Sequence, residues 1–279
     1  MSKKLLIDAG NSSLKWALLD SLSDSLFEQG HPPTFARQSL SEMESVLYIA
    51  NDAPQSFNDI LDKQMKVSDI DTVVMVSVLG DKFSDLVKAS CLKHSLELVY
   101  VKSVAQLAGV TVAYQEPYKL GTDRLVAMVA AHQLVEGQAC IVVDSGTATT
   151  IDALDAQGQH LGGVILSGLD LCNQSLLKNT ELLASHSESK DTVEATLFST
   201  NTKQAILSGS LFGLAGAIDT ICLNMEKEIQ SKAMASTKVK KIICGGSAKH
   251  ITPYLSENFL LEEDLVMQGL KIILETKQP

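Results

Sequence analysis

The chain has no G-x-x-x-x-G-K-[ST] and no G-x-G-x-x-G anywhere in its 279 residues. Both common glycine-rich phosphate cradles, the P-loop and the dinucleotide fingerprint, are therefore excluded. Cysteine is sparse and scattered: Cys91, Cys140, Cys172, Cys222 and Cys244, with the closest pair 22 positions apart. Without a C-x-x-C there is no zinc ribbon and no thioredoxin-like redox motif. The set reads as reduced thiols, small and mostly buried. The six histidines form no H-x-x-x-H or H-E-x-x-H pair, which removes the helical zinc sites. Positive charge is in deficit, 23 Lys and Arg against 33 Asp and Glu, for a net charge of −10. That balance argues against nucleic acid as a partner. It does not exclude a small anion, because local N–H groups and single cations override the net field. No uninterrupted apolar run reaches the ~18 residues of a membrane span. The first residues, two lysines and a brief apolar run into a polar turn, do not read as a signal peptide. The expected setting is cytoplasmic, with no membrane partner.

What is present is a short pattern that occurs twice. Leu5-Leu6-Ile7-Asp8-Ala9-Gly10-Asn11-Ser12-Ser13 stands at the start, and Ile141-Val142-Val143-Asp144-Ser145-Gly146-Thr147-Ala148-Thr149 near the middle. Each is a branched apolar run, then Asp-x-Gly, then small hydroxyl or amide residues. A buried strand ending in Asp, followed by a turn that glycine permits, holds a carboxylate and bare N–H groups toward a phosphate. Two such turns half a chain apart suggest a duplicated fold with a nucleotide between the halves. Lys15, four residues beyond Asn11, can reach a phosphate as a point charge.

The surrounding pattern agrees with a repeat. Strands are expected at 4–9, 14–20, 71–79 and 96–101, with a further one near 34–37. Helices are expected over 41–51, with Ser41 as N-cap and Glu44 three residues on, over 81–94 and over 125–135. The second half repeats the order, with strands at 139–144, 149–154, 160–166 and 239–244. Helices follow near 168–183, 202–229 and 262–275. The polar stretch 184–200 reads as a surface loop or a mobile flap. Antiparallel strands followed by α/β crossovers give a mixed sheet with helices packed on it. The two lobes divide at 1–117 and 118–279, Pro117 marking the approach to the second.

A third block, Pro117-Tyr118-Lys119-Leu120-Gly121-Thr122-Asp123-Arg124, enters the 125–135 helix. Thr122 or Asp123 can cap that helix. Alternatively, Asp123 accepts a hydroxyl proton and Arg124 clamps a carboxylate with its planar fork. Asn201-Thr202 opens another helix with Thr202 as a candidate cap. Cys244-Gly245-Gly246-Ser247 follows a strand, where paired glycines let a nucleotide approach the backbone.

Together these blocks resemble the type III pantothenate kinases, members of the actin, sugar-kinase and Hsp70 superfamily. The matching residues are Asp8 through Lys15, Gly121 through Arg124, Asp144 through Thr149, Gly162-Gly163, Asn201-Thr202 and Gly245-Gly246. The resemblance implies an α/β fold of duplicated actin-like (ribonuclease H-like) lobes, mixed sheets flanked by helices, with the active site in the inter-lobe cleft. It implies ATP-dependent phosphorylation of the pantothenate primary hydroxyl, the first step toward coenzyme A. By carry-over, Asp8, Ala9, Gly10, Asn11, Ser12, Ser13, Leu14 and Lys15 form the first phosphate turn, and Thr147 contacts ATP. Asp123 is the catalytic proton acceptor. Gly121, Thr122, Asp123 and Arg124 line the pantothenate site, with Tyr114 and Thr202. Asp144 holds a monovalent cation, K+ or NH4+, and Mg2+ accompanies ATP. The resemblance further implies a homodimer. Two positions depart from the family pattern: Ser167-Gly168 replaces Pro-Gly, and Cys244 replaces Thr. The first could loosen the turn beside the nucleotide; the second could alter contacts near adenosine. Two other readings stand beside this one. One is a kinase or phosphatase of the superfamily with another substrate, the other a non-enzymatic accessory or regulatory protein of the same fold.

Overall fold

The computed structural model describes residues 3–20, 44–47, 53–67, 69–178, 195–232 and 238–276. The expected strand near 34–37 and most of the 184–200 loop lie outside them. The chain forms two compact units, Met1–Leu134 with Asp264–Pro279, and Val135–Glu263.

The first unit is built on β1 (Lys3–Ala9), β2 (Ser13–Asp20), β3 (Glu44–Leu47), β4 (Ile70–Ser77) and β5 (Glu97–Tyr100), in the order β3-β2-β1-β4-β5. β1 pairs antiparallel with β2 and parallel with β4. Residues 3–9 read KKLLIDA, and Leu5, Leu6 and Ile7 are fully buried. An uninterrupted apolar run is what a central strand needs when both faces are covered. One face packs Leu5, Ile7 and Met75 against Phe57, Phe83 and Val87. These last three come from α1 (Ala53–Val67) and α2 (Asp81–Lys93). The other face meets α3 (Thr122–Leu134) and the final helix. A small hairpin, β6 (Gln106–Leu107) and β7 (Val110–Thr111), leads toward α3. Gly109 in its turn has φ +89, a left-handed conformation that glycine adopts without steric cost.

The second unit repeats the plan. β8 (Ala139–Ser145), β9 (Ala148–Leu154), β10 (His160–Ser167), β11 (Val239–Cys244) and β12 (Leu260–Leu261) lie in the order β10-β9-β8-β11-β12. β8 is antiparallel to β9 and parallel to β11, as β1 is to β2 and β4. α4 (Leu169–Lys178) follows β10, α5 (Thr202–Lys232) covers the sheet, and α6 (Ala248–Ile251) follows β11. By length and composition alone α5 is apolar enough to cross a membrane. Its Leu211, Leu214, Ala215, Ile218 and Cys222 instead pack on Ile141, Val143, Ile151 and Ile243. Spacings of three and four make one apolar stripe, so α5 is the core helix of this unit. Burial pushes the thiols of Cys140 and Cys222 up to about 12 and that of Cys91 to about 11. At neutral pH these three are protonated, inert core groups.

Three expectations differ from what forms. The helix over 41–51 is not found: Glu44–Leu47 is β3, and residues 41–43 and 48–51 lie outside the described residues. β3 pairs antiparallel with Ser13–Trp16, so a partner distant in sequence overrides a local capping pattern. α1 is absent from the sequence reading, although Phe57, Ile60, Leu61 and Gln64 carry helical spacing and are all buried. The 117/118 boundary falls inside the first unit, because α7 (Leu265–Glu275) packs on α3, β1 and β4. A close contact holds that pairing: a Cβ on Gly269 would lie 2.2 Å from the Val126 carbonyl oxygen.

Lys241 on β11 is buried in the second unit. Its Nζ lies 2.7 Å from Glu226 Oε2 and 3.2 Å from Glu257 Oε2. Burial alone would lower its pKa, but the hydrogen bonds to Glu226 and Glu257 outweigh it and raise the value above the usual 10.5. A folded pKa above the unfolded one gives stability that is full below pH 10.5 and is lost as pH rises through the folded value. Lys241→Met should therefore cost on the order of 2 kcal/mol at pH 7. Urea denaturation from pH 7 upward should show the gap to wild type closing only above pH 10.5. A gap independent of pH would mean that lost packing, not charge, is responsible.

Candidate active site

The two Asp-x-Gly turns occupy equivalent places in the two sheets. Asp8 is in register with Lys15 across β2 and with Val76 on β4; Asp144 is in register with Thr150 across β9 and with Cys244 on β11. Each turn is closed by one backbone bond, Gly10 N–H to Ser13 O and Gly146 N–H to Ala148 O, both 3.0 Å. The first turn is one residue longer. At their tips Asn11, Ser12 and Thr147 are exposed.

Neither Gly10 nor Gly146 has a positive φ. A Cβ on either would meet only ordinary contacts, the nearest at 3.5 and 3.6 Å. The turns therefore do not demand glycine for their backbone, contrary to the sequence argument. What glycine provides there is a bare approach to the strand ends. Lys15 is cross-strand from Asp8, its Nζ 4.0 Å from Asp8 Oδ2, and both side chains are largely buried. The lysine charge is thus held at the strand end beside the carboxylate.

In the second unit two glycines with no room for a side chain, Gly245 and Gly168, stand at the Asp144–Thr147 turn. Gly245 has φ +95, and a Cβ there would lie 2.4 Å from Asp144 Oδ1 and 2.5 Å from Ser145 O. A Cβ on Gly168 would lie 2.2 Å from Gly146 O and 2.5 Å from Thr147 O. Gly168 N–H also donates to Thr147 O at 3.1 Å, and Ser247 N–H to Ser145 O at 2.9 Å. The turn at Gly146-Thr147 is thus braced from β10 and β11. The close packing rests on Gly168, so Ser167 in place of proline leaves this brace intact. Cys244 is buried in β11 beside Asp144.

Back in the first unit, the third block forms the start of α3. Lys119 N–H and Leu120 N–H close a turn on Glu116 and Pro117, and Leu125 N–H makes a first helical bond to Gly121 O. Lys119 and Tyr118 both donate to Glu116 on this exposed turn. The bond from Lys119, then that from Tyr118, lowers the Glu116 pKa. Asp123 Oδ1 folds back to accept the Arg124 amide at 2.8 Å. Gly121 makes room for it: a Cβ there would lie 2.7 Å from that oxygen. Arg124 is buried, donates from Nη1 to Tyr114 Oη at 3.0 Å, and lies 5.8 Å from the Tyr114 ring centroid. Tyr114, which the resemblance groups with Gly121, Thr122, Asp123 and Arg124, lies against Arg124.

Thr202 stands in the second unit as the first residue of α5, exposed. It is not the cap. Asn201 Oδ1 accepts the Gln204 amide at 2.9 Å, which leaves the Thr202 hydroxyl unused by the helix end. The sequence reading missed Ser103, which is buried under the Gly121 turn and bonded to it. A lone serine in a loop carries no pattern that would find it. Among the described residues no group of three His, Cys, Asp or Glu could hold a metal ion.

Two five-stranded sheets of equivalent order, β3-β2-β1-β4-β5 and β10-β9-β8-β11-β12, flanked by helices, define the actin-like ATPase and sugar-kinase class of duplicated folds. Solved structures agree at the level of fold. A Sinorhizobium meliloti protein described as a 2-dehydro-3-deoxygalactonokinase superposes with TM-score 0.59 at 13% identity, covering 99% of each chain. A Campylobacter jejuni protein described as a Baf family transcriptional activator gives TM-score 0.56 at 18% identity, covering 99% of this chain and 100% of its own. The sequence goes further. The family model for type III pantothenate kinase matches residues 4–224. A type III pantothenate kinase from Janthinobacterium sp. (strain Marseille) is 33% identical over 277 residues, 96% of either chain. This chain belongs to the type III pantothenate kinase family.

Proposed function

We propose that this chain transfers the γ-phosphoryl group of ATP to the primary hydroxyl of pantothenate, in the cytoplasm, as the first step toward coenzyme A. The observation that carries this reading is the start of α3. There an acidic side chain folded over bare Gly121 lies next to a buried arginine braced by Tyr114. That arrangement suits a substrate with a carboxylate at one end and a hydroxyl to be phosphorylated at the other.

Phosphoryl transfer needs charge neutralised on the phosphates and the reacting oxygens held in line. Asp8 to Lys15 supply turn N–H groups and one ammonium for the phosphates. Arg124 clamps the pantothenate carboxylate, with Tyr114 beside it. Asp123 orients the hydroxyl and takes its proton late in the reaction. The donor chemistry fits Mg2+ carried by ATP rather than a resident divalent ion: single carboxylates at Asp8 and Asp144, and no three-ligand cluster among the described residues. When bound, Mg2+ neutralises phosphate charge. Asp144, whose Oδ1 and the Ser145 carbonyl oxygen both border the bare Gly245, is the residue that would hold a weakly bound K+ or NH4+. A homodimer belongs to the same proposal. Leu161 and Ile165 on the edge strand β10, and Leu171 and Leu176 on α4, are exposed apolar residues that a second copy would cover.

The test is ADP release by purified protein. ATP consumption should depend on pantothenate and should fall when K+ is replaced by Na+ at equal ionic strength. Release that ignores pantothenate would reject the substrate; equal rates in the two salts would reject the cation at Asp144.

A further inference from the structure

We propose that Ser103 is a positioning residue for the substrate turn and that it acts through Thr122. The inference deepens the reading of Gly121–Arg124 as the pantothenate site and rests on it. Ser103 follows β5 and is 8% exposed. Its hydroxyl faces two acceptors, the Leu120 carbonyl at 2.8 Å and Thr122 Oγ1 at 3.1 Å. One side chain thus grips both sides of Gly121, from 17 and 19 positions away in sequence.

The turn needs an outside brace. Gly121 has no side chain to hold it, and it has to stay bare because Asp123 Oδ1 fills the space where a Cβ would go. A glycine in that place gives the backbone freedom it would otherwise lack. Ser103 removes that freedom at Leu120, before the glycine, and at Thr122, after it. Asp123 and Arg124, which follow directly, inherit the position.

The Thr122 contact carries the position to the substrate side. A hydroxyl has one proton and two lone pairs, and the nearer Leu120 carbonyl can only accept, so the Ser103 proton is directed there. The 3.1 Å contact with Thr122 Oγ1 holds the Thr122 side chain against the same hydroxyl. Thr122 is half-buried at the first position of α3, directly before Asp123 and Arg124. Without Ser103 the Thr122 side chain loses its aim.

The experiment is a double-mutant cycle on the intact protein with Ser103→Ala, Thr122→Val and the pair combined. Ser103→Ala should raise the pantothenate KM roughly five- to tenfold, with the ATP KM and Tm close to wild type. In the Thr122→Val background the same change should add less than about twofold. Additive effects would overturn the route through Thr122. An ATP KM or Tm that moves as much as the pantothenate KM would reduce Ser103 to a general structural role. A second measurement needs no substrate: deuterium exchange of residues 120–124 in the ligand-free protein. Ser103→Ala should speed that exchange several-fold while β4 and α2 stay unchanged; equal exchange would sink the positioning role. If wild type fails to phosphorylate pantothenate, the substrate reading fails, and the exchange result still decides what Ser103 does.

Discussion

Asp123→Ala is expected to lower kcat by about 10²-fold or more, with the KM for ATP nearly unchanged. The carboxylate has two jobs in the proposed site, and the variants separate them. Its Oδ1 accepts the Arg124 amide and so helps set the start of α3. Its remaining capacity is assigned to the substrate hydroxyl. Alanine removes both. Asparagine keeps an oxygen that can accept the amide and removes the proton acceptor. Asp123→Asn should therefore keep the Tm of the parent and lose nearly as much kcat as alanine does. A single-turnover measurement with saturating ATP checks this directly. An asparagine variant with near-normal turnover would show that shape alone is needed, and Asp123 would leave the proton-transfer role.

Gly245→Ala should be strongly damaging to the second unit. The position has φ +95, where an L side chain is strained, and the new Cβ would lie 2.4 Å from Asp144 Oδ1 and 2.5 Å from Ser145 O. The atoms met are a backbone carbonyl and a short carboxylate, so no rotamer change relieves the clash. Left-handed strain and overpacking together should cost about 3 kcal/mol. Tm should fall by roughly 5–10 °C. Because the clash displaces Asp144 itself, whatever K+ dependence wild type shows should weaken as well. The neighbouring glycine is the control. Gly246 has no positive φ and nothing within 4 Å of its Cβ position. Gly246→Ala should leave Tm unchanged and raise the ATP KM if the nucleotide approaches that backbone. Thermal melts of both variants, with and without ATP, separate a fold requirement from a ligand requirement. Equal melts for the two would show that the Asp144 contact is not what fixes Gly245.

Much of the duplication was legible in the chain. Branched apolar runs at 5–7 and 141–143, each ending in Asp-x-Gly, suit central strands covered on both faces. The Asp-x-Gly pairs therefore mark strand ends, and β8, β9, β10 and β11 follow within a residue or two of the expected spans. The cluster at Gly121–Arg124 was also readable, since its members are adjacent in sequence and only Tyr114 is brought in from outside.

Local pattern determined which segments are strands or helices and which short motifs carry charge beside bare backbone. Tertiary structure decided the rest, because those outcomes depend on partners far away in sequence. Pairing with β2 makes 44–47 a strand despite a helix-like start. Packing on α3 carries the last helix into the first unit. Gly245 and Gly168 are required by carbonyls from other strands, whereas Gly10 and Gly146 are not required by their own turns. A residue's neighbours along the chain set its conformational preference; its neighbours in space set which of its atoms can be spared.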